Sequence, residues 1–346
     1  MNKKMGISLV LVFIIFYCFW FAGCTGKKNQ NNGNAVSAVM TQKSLTPPPP
    51  GEEMRFKPTE REPLKVIVST DIIREIMYVF ANSRTKGRVL IANGTNPLAY
   101  VPTAQDKQEM QDAKLVLYIG LGLEPALESY LKTIKDKVRV VALSDAFEKS
   151  ELIPSKAYRG GYDPHFWWNP KLWEKAILYT LKILDDYDPE FQYDYQSTFI
   201  RYGESLSHLN RYFESWLGML PDNAVLFTLH PAFAYLGKAF NLETMSILQP
   251  GVLKLDNNRL TELTSYIIEH KVTTVFPEYQ FPRDEIERVV SALKQQSYQL
   301  NMGEAIFSYN LGLAGEPEFT YLRAARKLVD TIYTQLKAEG APDVPR

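Results

Sequence analysis

The chain has 346 residues, with 39 Lys plus Arg against 39 Asp plus Glu, so its formal net charge is zero. That balance, with no concentrated basic stripe, argues against a nucleic-acid partner. Its two cysteines, Cys18 and Cys24, leave no disulfide for the residues beyond them, so stability must come from a buried core.

Lys3 and Lys4 precede an apolar run over residues 7–22 that ends in Phe21-Ala22-Gly23-Cys24. A basic start, a short apolar core and small residues before a cut site describe a secretory signal over residues 1–23. The small residues before Cys24 resemble the lipobox of bacterial lipoproteins, which implies lipidation at Cys24 and an anchor of two or more acyl chains. The alternative is an uncleaved membrane anchor with Cys24 incidental. Either places the remaining chain outside the cytoplasmic membrane. Residues 24–62 are rich in Asn, Gln, Gly and Lys and contain Pro47-Pro48-Pro49-Pro50-Gly51, a composition that suits a disordered tether. Roughly 280 residues remain, enough for two lobes of ordinary size.

Folded structure is expected from residue 64. The run 64–68 reads as a strand, and Asp71 caps a helix containing Ile72, Ile73, Ile76 and Met77. A second strand is read at 88–91, and Thr103 with Asp106 starts a helix over 104–113. Strands at 115–119 and 138–142 enclose a further helical segment. Alternating strand and helix with continuous apolar strands predicts parallel sheets covered on both faces. Residues 148–161 show no period and read as a mobile surface loop.

Helical pattern resumes at Asn169-Pro170, and Asp188-Pro189 opens a longer helix. Its stripe is Phe191, Tyr195, Phe199, Tyr202, Leu206, Leu209, Phe213, Trp216 and Leu220, all spaced by three or four. Thirty such residues would span roughly 45 Å, which suits a strut crossing the molecule. A coiled-coil interface is the alternative, though the face is very aromatic for heptad packing. Strands then follow at 224–229, 242–247, 272–276 and 305–307, with helices at 260–270, 284–295 and 317–336. The expected organisation is an N-terminal lobe over 63–187, a linking helix over 188–221, a C-terminal lobe over 222–340 and a tail over 341–346.

Ligands of open α/β sheets bind in loops at the carboxyl ends of strands. Five loops meet that criterion: 94–103, 163–170, 230–235, 277–282 and 308–312. Two carry histidine, His165 and His230, and one carries Glu278, all metal-ligand types. Asp163-Pro164-His165-Phe166-Trp167-Trp168-Asn169-Pro170 frames a histidine with two prolines and three aromatics. Such a histidine can bind metal, or simply satisfy backbone groups of its own loop. His208 and His270 read as packed or solvated helix residues. No G-x-S-x-G, P-loop, GxGxxG or H-E-x-x-H pattern occurs, so no catalytic role is expected.

Several of these stretches together are similar to the zinc/manganese-type solute-binding lipoproteins of bacterial ABC importers (TroA-like, ZnuA-like). They are Gly94-Thr95-Asn96-Pro97-Leu98-Ala99-Tyr100, Asp163-Pro164-His165-Phe166-Trp167, His230-Pro231-Ala232-Phe233-Ala234-Tyr235, Phe276-Pro277-Glu278-Tyr279 and Ile306-Phe307-Ser308-Tyr309-Asn310. The resemblance runs over residues 64–339. It implies two α/β lobes joined by one rigid helix, with Zn²⁺ or Mn²⁺ held between them as transported ligand. It also implies an ABC permease with its ATPase as partner. Of the family's four ligands, His165 and His230 match. Leu98 stands where the first histidine belongs, and Tyr309 where an aspartate belongs. Glu278 matches a carboxylate near the family's site and is expected as a third ligand. Two imidazoles alone hold a metal loosely, and Mn²⁺ more loosely than Zn²⁺. The other reading is a degenerate scaffold without metal: an interaction module, or a receptor for an organic ligand in an aromatic cleft near Tyr100, Trp167, Tyr235 and Tyr309.

Overall fold

A computed structural model describes residues 62–81, 84–252 and 254–344. The expected signal segment, the lipidation position Cys24 and the tether, save its last residue, lie outside the described residues. Strand β1 (Leu64–Val68) buries Val66, Ile67 and Val68, whose branched side chains favour an extended backbone. Helix α1 (Asp71–Phe80) then buries Ile72, Ile73, Ile76, Met77 and Phe80 on one face. At about 1.5–3 kcal/mol for each large apolar side chain, that face outweighs the weaker helix propensity of its isoleucines. The N-cap is Thr70 rather than Asp71, which sits in the first turn and pairs with Arg74 at 3.0 Å.

Strand β2 (Thr85–Val89) lies earlier than the apolar run at 88–91 suggests. Its register is set by β1: Leu64 faces Thr85 and Val68 faces Val89. Gly87 permits this closeness, because a Cβ there would stand 2.6 Å from the Val66 carbonyl oxygen. Helix α2 (Ala104–Gln111) opens on the expected Thr103–Asp106 capping box. Strand β3 (Leu115–Tyr118), helix α3 (Pro125–Ile134) and strand β4 (Arg139–Ala142) complete a parallel sheet of order β2-β1-β3-β4.

The second half repeats that order. Strand β5 (Val225–Thr228), helix α6 (Ala234–Phe240), strand β6 (Glu243–Ser246), helix α7 (Asn257–Glu269), strand β7 (Thr274–Phe276), helix α8 (Asp284–Gln295) and strand β8 (Asn301–Met302) form a parallel sheet ordered β6-β5-β7-β8. The last strand is therefore not 305–307. Asn301 and Met302 pair with Thr274 and Val275, whereas Ile306 makes only an isolated bridge to Glu278. Helix α9 (Tyr321–Leu336) closes the chain, after a 3-10 turn at Pro317–Phe319.

Between the sheets run α4 (Pro170–Tyr187), capped by the Asn169 side chain, and α5 (Gln192–Leu217), entered through a 3-10 turn at Pro189–Phe191. The 26 residues of α5 make a rod of roughly 39 Å. Its face, from Tyr195 through Tyr202, Leu206, Leu209 and Phe213, is buried. That face packs on α1 and α4 from the first half and on α6 and α9 from the second, so its stripe is satisfied within the chain.

Residues 148–161 are ordered, not a mobile loop. Glu148 and Glu151 cap a 3-10 turn, Pro154 bridges Tyr162, Asp163 N–H donates to the Ile153 carbonyl at 2.8 Å, and Tyr158 is buried. Tertiary bonds hold this segment, and they leave no periodicity to read.

Glu75 on α1 has no exposed surface and accepts a hydrogen bond from Tyr202 Oη on α5 at 3.0 Å. Burial pushes its carboxyl up from 4.5 to about 7, against the weaker opposing pull of Tyr202. A folded-state value above the unfolded one contributes stability below pH 4.5 that is lost as pH rises through about 7. Glu75→Gln is therefore expected to flatten the stability profile between pH 5 and 8, removing a decline on the order of 3 kcal/mol. Urea denaturation across that range checks this; an unchanged slope would contradict it.

Candidate metal site

In each sheet the strand order reverses between its first and third strands, where ligands of open α/β sheets bind. In the first sheet this point is filled by the chain itself. Ser69 Oγ donates to Glu124 Oε1 at 2.6 Å, and the Ile119 and Gly120 amides donate to the same carboxylate. In the second sheet it holds His230, after β5, and Glu278, after β7. Glu278 Oε1 accepts from the His230 backbone N–H at 2.9 Å, and Oε2 lies against His230 Nδ1. The first is a hydrogen bond; the second is a close contact in which neither Oε2 nor Nδ1 has a hydrogen-bond partner. Glu278 lies against His230, and its backbone bridges Ile306.

His165 comes from the ordered segment after β4 and is held the same way. Asp163 Oδ1 accepts the His165 backbone N–H at 2.8 Å and lies 2.7 Å from His165 Nδ1. That contact calls for the proton on Nδ1 and leaves the lone pair on Nε2. Burial pulls the His165 imidazole below its ordinary value, against the opposing charge of Asp163, which keeps the ring neutral. Nε2 of His165 and Nε2 of His230 are both buried and without a hydrogen-bond partner.

The two imidazole centroids stand 5.5 Å apart. Rings bonded to one ion at about 2.0–2.1 Å place each centroid about 3.2 Å from it, hence about 5.2 Å apart at a tetrahedral angle. The spacing fits a shared ion. Around them lie Trp167, 5.2 Å from His165, Phe281, 4.7 Å from His230, and Tyr309, 5.2 Å and 4.5 Å from the two. Tyr309 Oη is buried and unpartnered, and burial raises its phenol well above the ordinary range, so it is a neutral group and a poor ligand. Leu98 is half-buried in a 3-10 turn (Pro97–Ala99) whose cap is the Asn96 side chain, and it lines the same cavity as His230 and Tyr309. Among the described residues, no group of three or more His, Cys, Asp or Glu side chains is arranged to hold a metal ion.

The other expected cleft residues take supporting positions. Tyr100 does not line the cavity: its hydroxyl donates to Asp106 Oδ2 at 2.9 Å and its ring packs in an outer cluster beside α2. Trp167 and Trp168 both donate from Nε1 to the Ser308 carbonyl at 3.2 Å, joining the two halves behind His165. Tyr235 on α6 donates to the Asp163 carbonyl at 2.8 Å and accepts from the Ile153 amide at 3.1 Å. Asp163 is the residue the sequence reading left without a role. The signal for it is the two-residue spacing to His165, which lets one carboxylate reach both the backbone and the ring. His270 stacks on Tyr266, and its Nδ1 lies 3.0 Å from the Tyr266 carbonyl, apart from this site.

A family model described as periplasmic zinc-uptake complex component A (ZnuA) matches residues 66–335. The zinc-binding protein TroA of Treponema pallidum is 27% identical over 277 residues, covering 78% of this chain and 88% of that protein. The manganese-binding lipoprotein MntA of Bacillus subtilis is 26% identical over 279 residues, covering 79% and 90%. The iron ABC transporter substrate-binding lipoprotein MtsA of Streptococcus pyogenes is 21% identical, covering 80% and 90%. Among solved structures, that of the periplasmic zinc-binding protein TroA superposes with a TM-score of 0.77 at 25% identity, covering 80% of this chain and all of that one.

Removing the Tyr235 hydroxyl leaves a buried amide and carbonyl on the His165 segment unpaired. Tyr235→Phe is expected to destabilise the fold by about 1–3 kcal/mol and to speed hydrogen exchange at Ile153 and Asp163. Unchanged exchange at both amides would contradict the pinning role.

Proposed function

The chain belongs to the ZnuA family of periplasmic zinc-uptake components, and from that premise we propose that it captures a divalent transition metal outside the cytoplasmic membrane and delivers it to an ABC permease with its ATPase. In this reading Cys24 carries the lipid that keeps the protein at the membrane, and residues 24–62 supply reach. The observation that carries the proposal is the pair of buried imidazoles. His165 Nδ1 hydrogen-bonds to Asp163, His230 Nδ1 lies against Glu278 without a hydrogen bond, and each ring has Nε2 unpartnered.

The His165 and His230 Nε2 atoms are the ligands. Asp163 and Glu278 act through them: a carboxylate behind an imidazole fixes its tautomer and raises its basicity. Zn²⁺ is the preferred cargo over Mn²⁺, because imidazole suits zinc and manganese favours oxygen donors. Leu98 and Tyr309 contribute walls, not bonds. Binding, not chemistry on the ligand, is the function.

Calorimetric titration of the full chain in detergent with Zn²⁺ and Mn²⁺ tests this. Saturable one-to-one uptake is expected, tighter for Zn²⁺. No saturation of Zn²⁺ below about 100 µM, roughly −5.5 kcal/mol, would contradict it. Asp163→Asn and Glu278→Gln are each expected to weaken Zn²⁺ binding about 10–100-fold, while His270→Ala leaves it unchanged. Equal affinity in all three variants would remove the orienting role of the carboxylates.

A further inference from the structure

A cavity of about 380 Å³ opens beside His230 and is lined by His230, Tyr158 and Tyr309; His165 lies behind that wall, its ring 5.2 Å from Tyr309. A metal ion with two completing waters needs under about 100 Å³, at about 30 Å³ per water. The cavity is nearly four times that and falls in the range of small-molecule sites, about 300–1,000 Å³. Its walls near the histidine are Leu98, Tyr158, Phe281 and Tyr309, mostly apolar and aromatic. A bare ion has no use for such walls. A flat organic ligand does.

We propose that the cargo is a metal chelate: a zinc ion held by the two Nε2 atoms and carrying one small aromatic N,O-chelator, whose own donors take the coordination positions this chain leaves open. The inference rests on the metal-capture reading above and adds the identity of the missing ligands. Three observations converge on it. The described residues offer no third His, Cys, Asp or Glu ligand to the pair. Leu98 on one wall gives apolar contact where a chelator body would lie. Four buried polar atoms of cavity-lining residues lack hydrogen-bond partners: the Tyr309 hydroxyl, Gln280 Oε1, and Nδ1 and Nε2 of His230. The unpartnered Tyr309 hydroxyl is a hydrogen-bond donor placed for a chelator carboxylate. The rim carries Lys254 together with Asp284 and Glu285, which disfavours a strongly anionic complex. The expected chelator is therefore compact, with one or two carboxylates and a ring nitrogen, so that its zinc complex is neutral or singly positive.

Equilibrium dialysis of the full chain in detergent, following zinc and chelator separately, tests the proposal with L-histidine, picolinate and dipicolinate as probes. With at least one probe, metal and chelator should be retained together at one each per protein, and zinc affinity should rise at least about tenfold over zinc alone. Retention of zinc with none of the three chelators overturns the chelate while leaving metal capture standing. Retention of neither zinc nor any chelate overturns both. The double variant Leu98→His with Tyr309→Asp supplies the open positions from the protein, and is expected to bind zinc alone more tightly and to release the chelator. Continued co-retention of chelator in a folded double variant would contradict the assignment of those positions.

Discussion

Two carboxylate–imidazole contacts govern the centre of this molecule. Asp163 takes the backbone N–H and the ring Nδ1 of His165, and Glu278 takes the backbone N–H of His230 and lies against its Nδ1. Burying a neutral imidazole with one nitrogen unpartnered is costly, and the fold meets part of that cost by fixing the other nitrogen. What remains is a pair of unpartnered Nε2 atoms in an aromatic surround, on rings whose centroids stand 5.5 Å apart. The rest of the structure serves that placement. Trp167 and Trp168 reach across to Ser308, Tyr235 reaches back to Asp163, and α5 braces helices of both halves.

The two sheets repeat one strand order, yet their reversal points differ in use. In the first, Glu124 is surrounded by donors from Ser69, Ile119 and Gly120 and closes the position. In the second, Glu278 turns the same kind of buried carboxylate toward a histidine. The first half instead contributes His165 from the segment after β4. One architecture thus supplies a plugged crevice and an open one, and the two histidines come from non-equivalent loops.

Much of the fold was legible because its signals are local. The β-branched run of β1, the Thr103–Asp106 capping box and the span of α8 are readable from neighbours in the chain. The failures share a cause. Ala305-Ile306-Phe307 looks like a strand but pairs only at Ile306, since register with β7 is set by Asn301 and Met302. Residues 148–161 looked mobile because their order comes from Tyr235 and from burial of Tyr158, neither near in sequence to a repeating pattern. At the site, the sequence offers His165, His230 and Glu278, which the fold brings together, but not how the carboxylate lies against the ring. Ligand and orienter differ only by which side of the imidazole the carboxylate occupies, and that depends on how β5 and β7 lie together.

In the proposed reading Leu98 and Tyr309 give no donors, which leaves two imidazoles where a tight zinc site wants three or four. That shortfall makes the first coordination shell the decisive quantity. Zinc K-edge X-ray absorption of the zinc-loaded full chain measures it directly. The proposed site predicts scattering from two imidazoles, at about 2.0–2.1 Å, with the remaining shell made of light O or N donors not supplied by Glu278, so that Glu278→Gln leaves the number of donors unchanged. A shell with fewer than two imidazoles, or one that loses a donor in Glu278→Gln, would contradict the account.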